Sequence, residues 1–122
     1  MRRNKLILAV LPLLLWSCKY DKEDELYGAN GACDTKNVSY SITVNGLLSA
    51  YGCFGCHSGP SPEGNINLQG YANLKTIASG GRLYGAISHA PGFHPMPEGG
   101  NKMSTCDLNK IKAWVDAGAP NN

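Results

Sequence analysis

The sequence has no apolar run long enough to cross a bilayer. Its longest, Leu6 to Trp16, has eleven residues, about half of what a spanning helix needs. A second paired metal-ligand motif is also missing. One Cys-x-x-Cys occurs, and outside it Cys33, His89, His94 and Cys106 are widely scattered. The usual paired spacing of a four-ligand zinc site is therefore not present. Charged residues make up only 16% of the chain, and internal repeats are absent. Three of the eleven basic residues fall in the first seventeen positions, and none of the nine acidic ones do. The rest of the chain has eight basic against nine acidic residues, a net charge of −1. That balance offers no electrostatic footing to nucleic acid.

What the sequence does contain is Cys53-Phe54-Gly55-Cys56-His57. Cys-x-x-Cys-His is the spacing of covalent haem attachment. Two intervening residues let both sulfurs reach the vinyl groups on one side of a porphyrin. The adjacent His57 then carries an imidazole nitrogen to the iron. Other readings of the cysteine pair are a thioredoxin-like redox motif, a zinc half-site and a disulfide. The redox motif wants a strand before it and a helix opening at it. Here a helix-like stretch comes first and Ser58-Gly59-Pro60-Ser61-Pro62 follows, so the motif is expected to end a helix. The expected cofactor is one covalent haem c.

The N-terminus reads as an export leader. Arg2, Arg3 and Lys5 form a basic region ahead of the Leu6–Trp16 apolar run. The run ends at Leu15-Trp16-Ser17-Cys18, which resembles the lipobox of bacterial lipoproteins. That resemblance implies a leader over 1–17, with Cys18 lipidated and anchoring the chain to a membrane without spanning it. The alternative is an ordinary leader in which Cys18 is incidental. Residues 18–32 include the charged stretch Lys19 to Glu25 and read as a flexible acidic tether. The acidic stretch also resembles the surface-export signal of some Gram-negative lipoproteins. The expected location is thus a bacterial membrane, on its periplasmic face or at the cell surface.

The chain has five cysteines. With Cys18 assigned to lipid and Cys53 and Cys56 to haem, Cys33 and Cys106 are left as an even pair in an exported chain. They are expected to form a disulfide.

About ninety residues, 33–122, form the expected folded domain, a size at which a core benefits from a cofactor or a cross-link. A first helix is expected over about Ser41 to Ala50. Ile42, Val44, Leu47 and Leu48 are its apolar positions, and Gly46, Ser49 and Ala50 form a small face for a crossing helix. Its Ile-Thr-Val content also suits a strand, so the start stays open between the two. Short helices are expected over Gly70–Ser79 and Arg82–Ser88. The last helix has the clearest signals. Ser104 is the N-cap, with Asp107 three residues on. Leu108, Ile111, Trp114 and Val115 form an apolar face, and Gly118 is the stop with Pro120 beyond.

The second axial position on the iron has four candidates: His89, His94, Met96 and Met103. Pro95 and Pro97 flank Met96 within a loop rich in proline and glycine, and they restrict the backbone around it. Met103 reads as a core residue. His89 and His94, taken alone, read as surface or hydrogen-bonded histidines.

A helix, Cys-x-x-Cys-His, a Met-Pro loop and a last helix ending Trp-Val-x-x-Gly-Ala together resemble the small monohaem class I cytochromes c. Exported lipoprotein-type members are the most similar. The resemblance covers about Ser41 to Pro120. It implies an all-α, cytochrome c-like fold, with three to four short helices wrapped around one haem. It also implies Met96 as the distal ligand beside His57, and a crossing of the first and last helices. Cys33, Cys106 and His94 depart from the pattern of many members.

The function this implies is a membrane-anchored carrier of single electrons between redox protein partners, and not an enzyme. Three alternatives stay open: an open-site haem enzyme or gas sensor of peroxidase-like character, a lipoprotein that uses haem for stability, and a non-haem metal site.

Overall fold

The structure is a computed structural model and describes residues 33–122. The expected leader, Cys18 and the tether to residue 32 lie outside the described residues. The described residues fold entirely into helices and loops, with no strand among them. None of their helices is long and apolar enough to cross a membrane.

The chain enters its first helix through a π-helical turn, Tyr40–Val44. The Ser39 hydroxyl accepts the Ile42 and Thr43 N–H groups and so caps that turn. The turn runs straight into α1, Asn45–Ala50, which settles the start as helix rather than strand. Gly52 then takes φ 72°, in the left-handed region, and breaks the helix before the motif. Cys53–Cys56 forms a separate single turn, α2. The motif thus follows a helix but does not lie at its end as the sequence suggested. After a short 3₁₀ turn at Glu63–Asn65 come α3, Tyr71–Ser79, and α4, Arg82–Ile87. A long loop leads to α5, Thr105–Asp116.

The start of α5 follows its sequence signals. The Ser104 hydroxyl accepts the Asp107 N–H at 3.1 Å and donates to the Asp107 carboxylate at 2.8 Å. Its end is a Schellman turn. Gly118 (φ 88°) donates to the Val115 carbonyl, and Ala119 donates to that of Trp114.

Val44, Leu48, Leu74, Ile111 and Trp114 are the largest fully buried side chains. Burial of each is worth roughly 1.5–3 kcal/mol. Leu108, Ile111 and Trp114 supply the apolar face of α5, and Met103 is buried just before it.

The crossing of first and last helices differs from the expected one. Gly46, Ser49 and Ala50 are exposed, and a Cβ added at Gly46 would meet nothing within 4 Å. Instead α5 packs on the π-helical turn. There the Tyr40 ring stacks on Trp114 with centroids 6.2 Å apart and meets Tyr71 edge-on at 5.2 Å. Ile42, expected among the apolar positions, is 80% exposed.

The turn's free N–H groups are met by Asn122. Its carbonyl accepts from Ser41 at 2.9 Å and its side-chain oxygen accepts from Tyr40 at 2.8 Å. Cys33 and Cys106 form the expected disulfide, with Cα atoms 5.4 Å apart across a sequence separation of 73.

Candidate functional site

Around the single motif turn lies a cavity of about 310 Å³, within the range of small-molecule and cofactor sites. Leu48 of α1, Ile77 of α3, and Leu83 and Ile87 of α4 supply apolar walls, with Ile66 and Leu68 from the segment between motif and α3. Cys53, Cys56 and His57 line the same cavity, and so does Met96 from the long loop. The four residues singled out in the sequence are therefore brought together, although 43 positions of sequence separate the first from the last.

Short local bonds position His57. Its N–H donates to the Cys53 carbonyl at 2.9 Å, and its own carbonyl accepts from Leu68 at 2.8 Å. The ring Nδ1 lies 3.1 Å from the Ile66 carbonyl oxygen. A carbonyl can only accept, so Nδ1 is the donor there, and in the neutral ring the lone pair is on Nε2. Metal-ligating histidines are oriented by this kind of bond.

The two thiols differ. Cys53 is half-buried and Cys56 exposed. Burial pushes the Cys53 thiol up from its ordinary value, with a backbone hydrogen bond opposing in part. Neither is in a disulfide.

Of the other ligand candidates, two lie away from the cavity and His94 lines it. Met103 lies in the core at 3% exposure and does not line the cavity. His94 reaches the rim, but it is exposed and its Nε2 sits 2.7 Å from the Glu98 carboxylate. His89 is not a lining residue, and its Nε2 is 3.0 Å from the Met96 carbonyl oxygen.

Other residues of the lining were not singled out in the sequence. Tyr51 forms part of the wall next to the motif. Arg82 is the one cationic side chain on the lining, with Glu63 and Glu98 as the acids. Phe93 lies flat on Gly85, so close that a Cβ there would meet its ring at 2.6 Å. An aromatic in a Pro-Gly loop, eight residues after a buried glycine, is a signal that only the fold makes readable.

Among the described residues, no group of three or more His, Cys, Asp and Glu side chains is arranged to hold a metal ion. What the site offers is two thiols, one oriented imidazole and one thioether around an apolar cavity. No protein-family model, curated protein or solved structure matches this chain.

Proposed function

We propose that the chain is a membrane-anchored c-type cytochrome that carries single electrons, with a cytochrome c-like fold. One observation carries the proposal: Cys53, Cys56, His57 and Met96 line one apolar cavity, and the His57 ring is oriented with Nε2 free.

The residues fit the group. Attachment of haem c needs two thiols in Cys-x-x-Cys spacing followed by His, and apolar walls to cover a flat macrocycle. Cys53 and Cys56 would form the thioether links, while His57 and Met96 would be the axial ligands. The bound group would supply a one-electron iron couple.

The chain's own part is orientation and shielding. The Ile66 carbonyl fixes the tautomer of His57 and strengthens it as a donor. The leucine and isoleucine walls would shield a bound haem from water, and the Met96 thioether is a soft donor; both would favour the reduced state. If His57 and Met96 both held the iron, no open position would be left for a substrate, which favours a carrier over an enzyme. The helical, strand-free described region, with α5 packed on the opening turn, supports the cytochrome c-like fold.

The anchor rests on the sequence. The leader and the Leu15-Trp16-Ser17-Cys18 site support lipid at Cys18 and a position on a bacterial membrane, where the partners are other redox proteins.

Optical spectra of haem-loaded protein in both redox states test this. The expected ferric spectrum is low-spin, with the weak long-wavelength band of thioether–iron ligation, and that band disappears in Met96→Ala. A high-spin ferric spectrum in the native protein overturns the carrier reading. Mass spectrometry of the same sample reads the haem adduct and the lipid on Cys18.

A further inference from the structure

We infer that His89 is a positioning residue: its imidazole clamps the Met96 peptide to α4 and so holds the thioether in the cavity. The inference rests on the proposed axial role of Met96, but it is carried by a separate set of contacts.

The backbone gives the first observation. Helix α4 ends in a Schellman turn, with His89 N–H donating to the Ala86 carbonyl at 3.2 Å and Ala90 N–H to that of Gly85 at 2.9 Å. The residue at the left-handed position of such a turn is usually glycine, as Gly118 is at the end of α5. Here it is His89, at φ 56°. A side chain kept where glycine is easier points to a role for that side chain.

The side chain gives the second. His89 Nε2–H donates to the Met96 carbonyl at 3.0 Å. The Met96 N–H in turn donates to the Ala86 carbonyl at 3.0 Å. Ala86, His89 and Met96 thus close a triangle of three hydrogen bonds, two of them to the same carbonyl. Pro95 and Pro97, on either side of Met96, have no N–H to give. Among the described residues, the Met96 peptide is held at both its N–H and its C=O only by α4 and the turn that ends it.

Two substitutions separate a clamp from mere packing. His89→Gly removes the donor while relieving the left-handed backbone, which offsets part of the lost bond, and the protein still folds. His89→Gln keeps an N–H donor on a side chain of similar reach. The readout is the affinity of ferric, haem-loaded protein for added imidazole, which competes with Met96 for the iron. Loss of one hydrogen bond corresponds to roughly a 3- to 10-fold rise in that affinity for His89→Gly. His89→Gln stays within about 2-fold of native, since its bond is retained. Amide exchange at Met96, which does not report on the iron, accelerates in His89→Gly only.

Imidazole affinity unchanged in His89→Gly overturns the inference, as does a His89→Gln protein as loose as His89→Gly. Met96→Ala in the same series separates this claim from the one beneath it. If Met96→Ala leaves the spectrum unaltered, the axial role of Met96 falls and the clamp's purpose with it. If Met96→Ala changes the spectrum while His89→Gly leaves imidazole affinity alone, only the role of His89 falls.

Discussion

The Tyr51 phenol donates a 2.8 Å hydrogen bond to the Asp107 carboxylate, which joins the cavity wall to the first turn of α5. The same phenol oxygen accepts the Ser104 N–H at 3.1 Å. One hydroxyl thus answers both the capping carboxylate and a free donor at the helix start.

Tyr51→Phe keeps the ring in the cavity wall and removes these two bonds. The expected loss is about 1–2 kcal/mol of unfolding free energy, measured by urea titration. A double-mutant cycle with Asp107→Ala, which removes the acceptor, should show coupling between the two sites. Strict additivity would mean that the bond contributes nothing.

Cys33–Cys106 spans most of the described chain. Replacing both cysteines by serine, or reducing the bridge, is expected to lower stability by about 2–4 kcal/mol. Urea midpoints with and without reductant check this, and equal midpoints would sink it.

The start and stop of α5 were legible because each signal is local. Ser104 and Asp107 meet within one turn, and Gly118 closes the Schellman turn that follows. The pairing of Cys33 with Cys106 was legible by counting thiols. The face of the first helix was not. A 3.6-residue period assumes regular α-turns, but the chain opens with a π-turn in which Val44 N–H donates to the Ser39 carbonyl, five residues back, at 2.9 Å. That wider turn shifts the phase. Val44 and Leu48 point into the core, Ile42 turns to solvent, and the Gly46-Ser49-Ala50 face is left outside. Of the candidate site, the residues picked out by type and spacing, Cys53, Cys56, His57 and Met96, line one cavity. The bond from His89 to the Met96 carbonyl depends on how the long loop returns to α4, and no local pattern encodes that.

The thiols of Cys53 and Cys56 should react unequally. Cys53 is half-buried and its thiol is pushed up, so it holds less thiolate at any given pH; Cys56 is exposed. In haem-free full-length chain, iodoacetamide should modify Cys56 first, and Cys53 should need a higher pH. If both thiols carry haem as proposed, neither should react in the loaded protein. Peptide mass spectrometry over a pH series reads both, and faster alkylation of Cys53 would contradict the burial argument.

Gly85 is the floor on which the Phe93 ring rests. Gly85→Ala brings a Cβ to 2.6 Å from that ring, so Phe93, 40% exposed on its loop, must swing away or α4 must shift. The expected cost is about 1–3 kcal/mol, and Phe93→Ala in the same chain should recover most of it. Failure of the double substitution to recover would mean that the cost of Gly85→Ala lies in the helix and not in the contact.

The covalent bridge from Cys33 to Cys106 has a mechanical consequence. Tension between the chain that precedes Cys33 and Asn122 passes through the two sulfurs directly into α5. The segment from Asp34 to Thr105, which contains every cavity-lining residue, is a side loop that this pull does not stretch. A tug along the backbone from the N-terminal side would reach the last helix before it could distort Cys53, His57 or Met96.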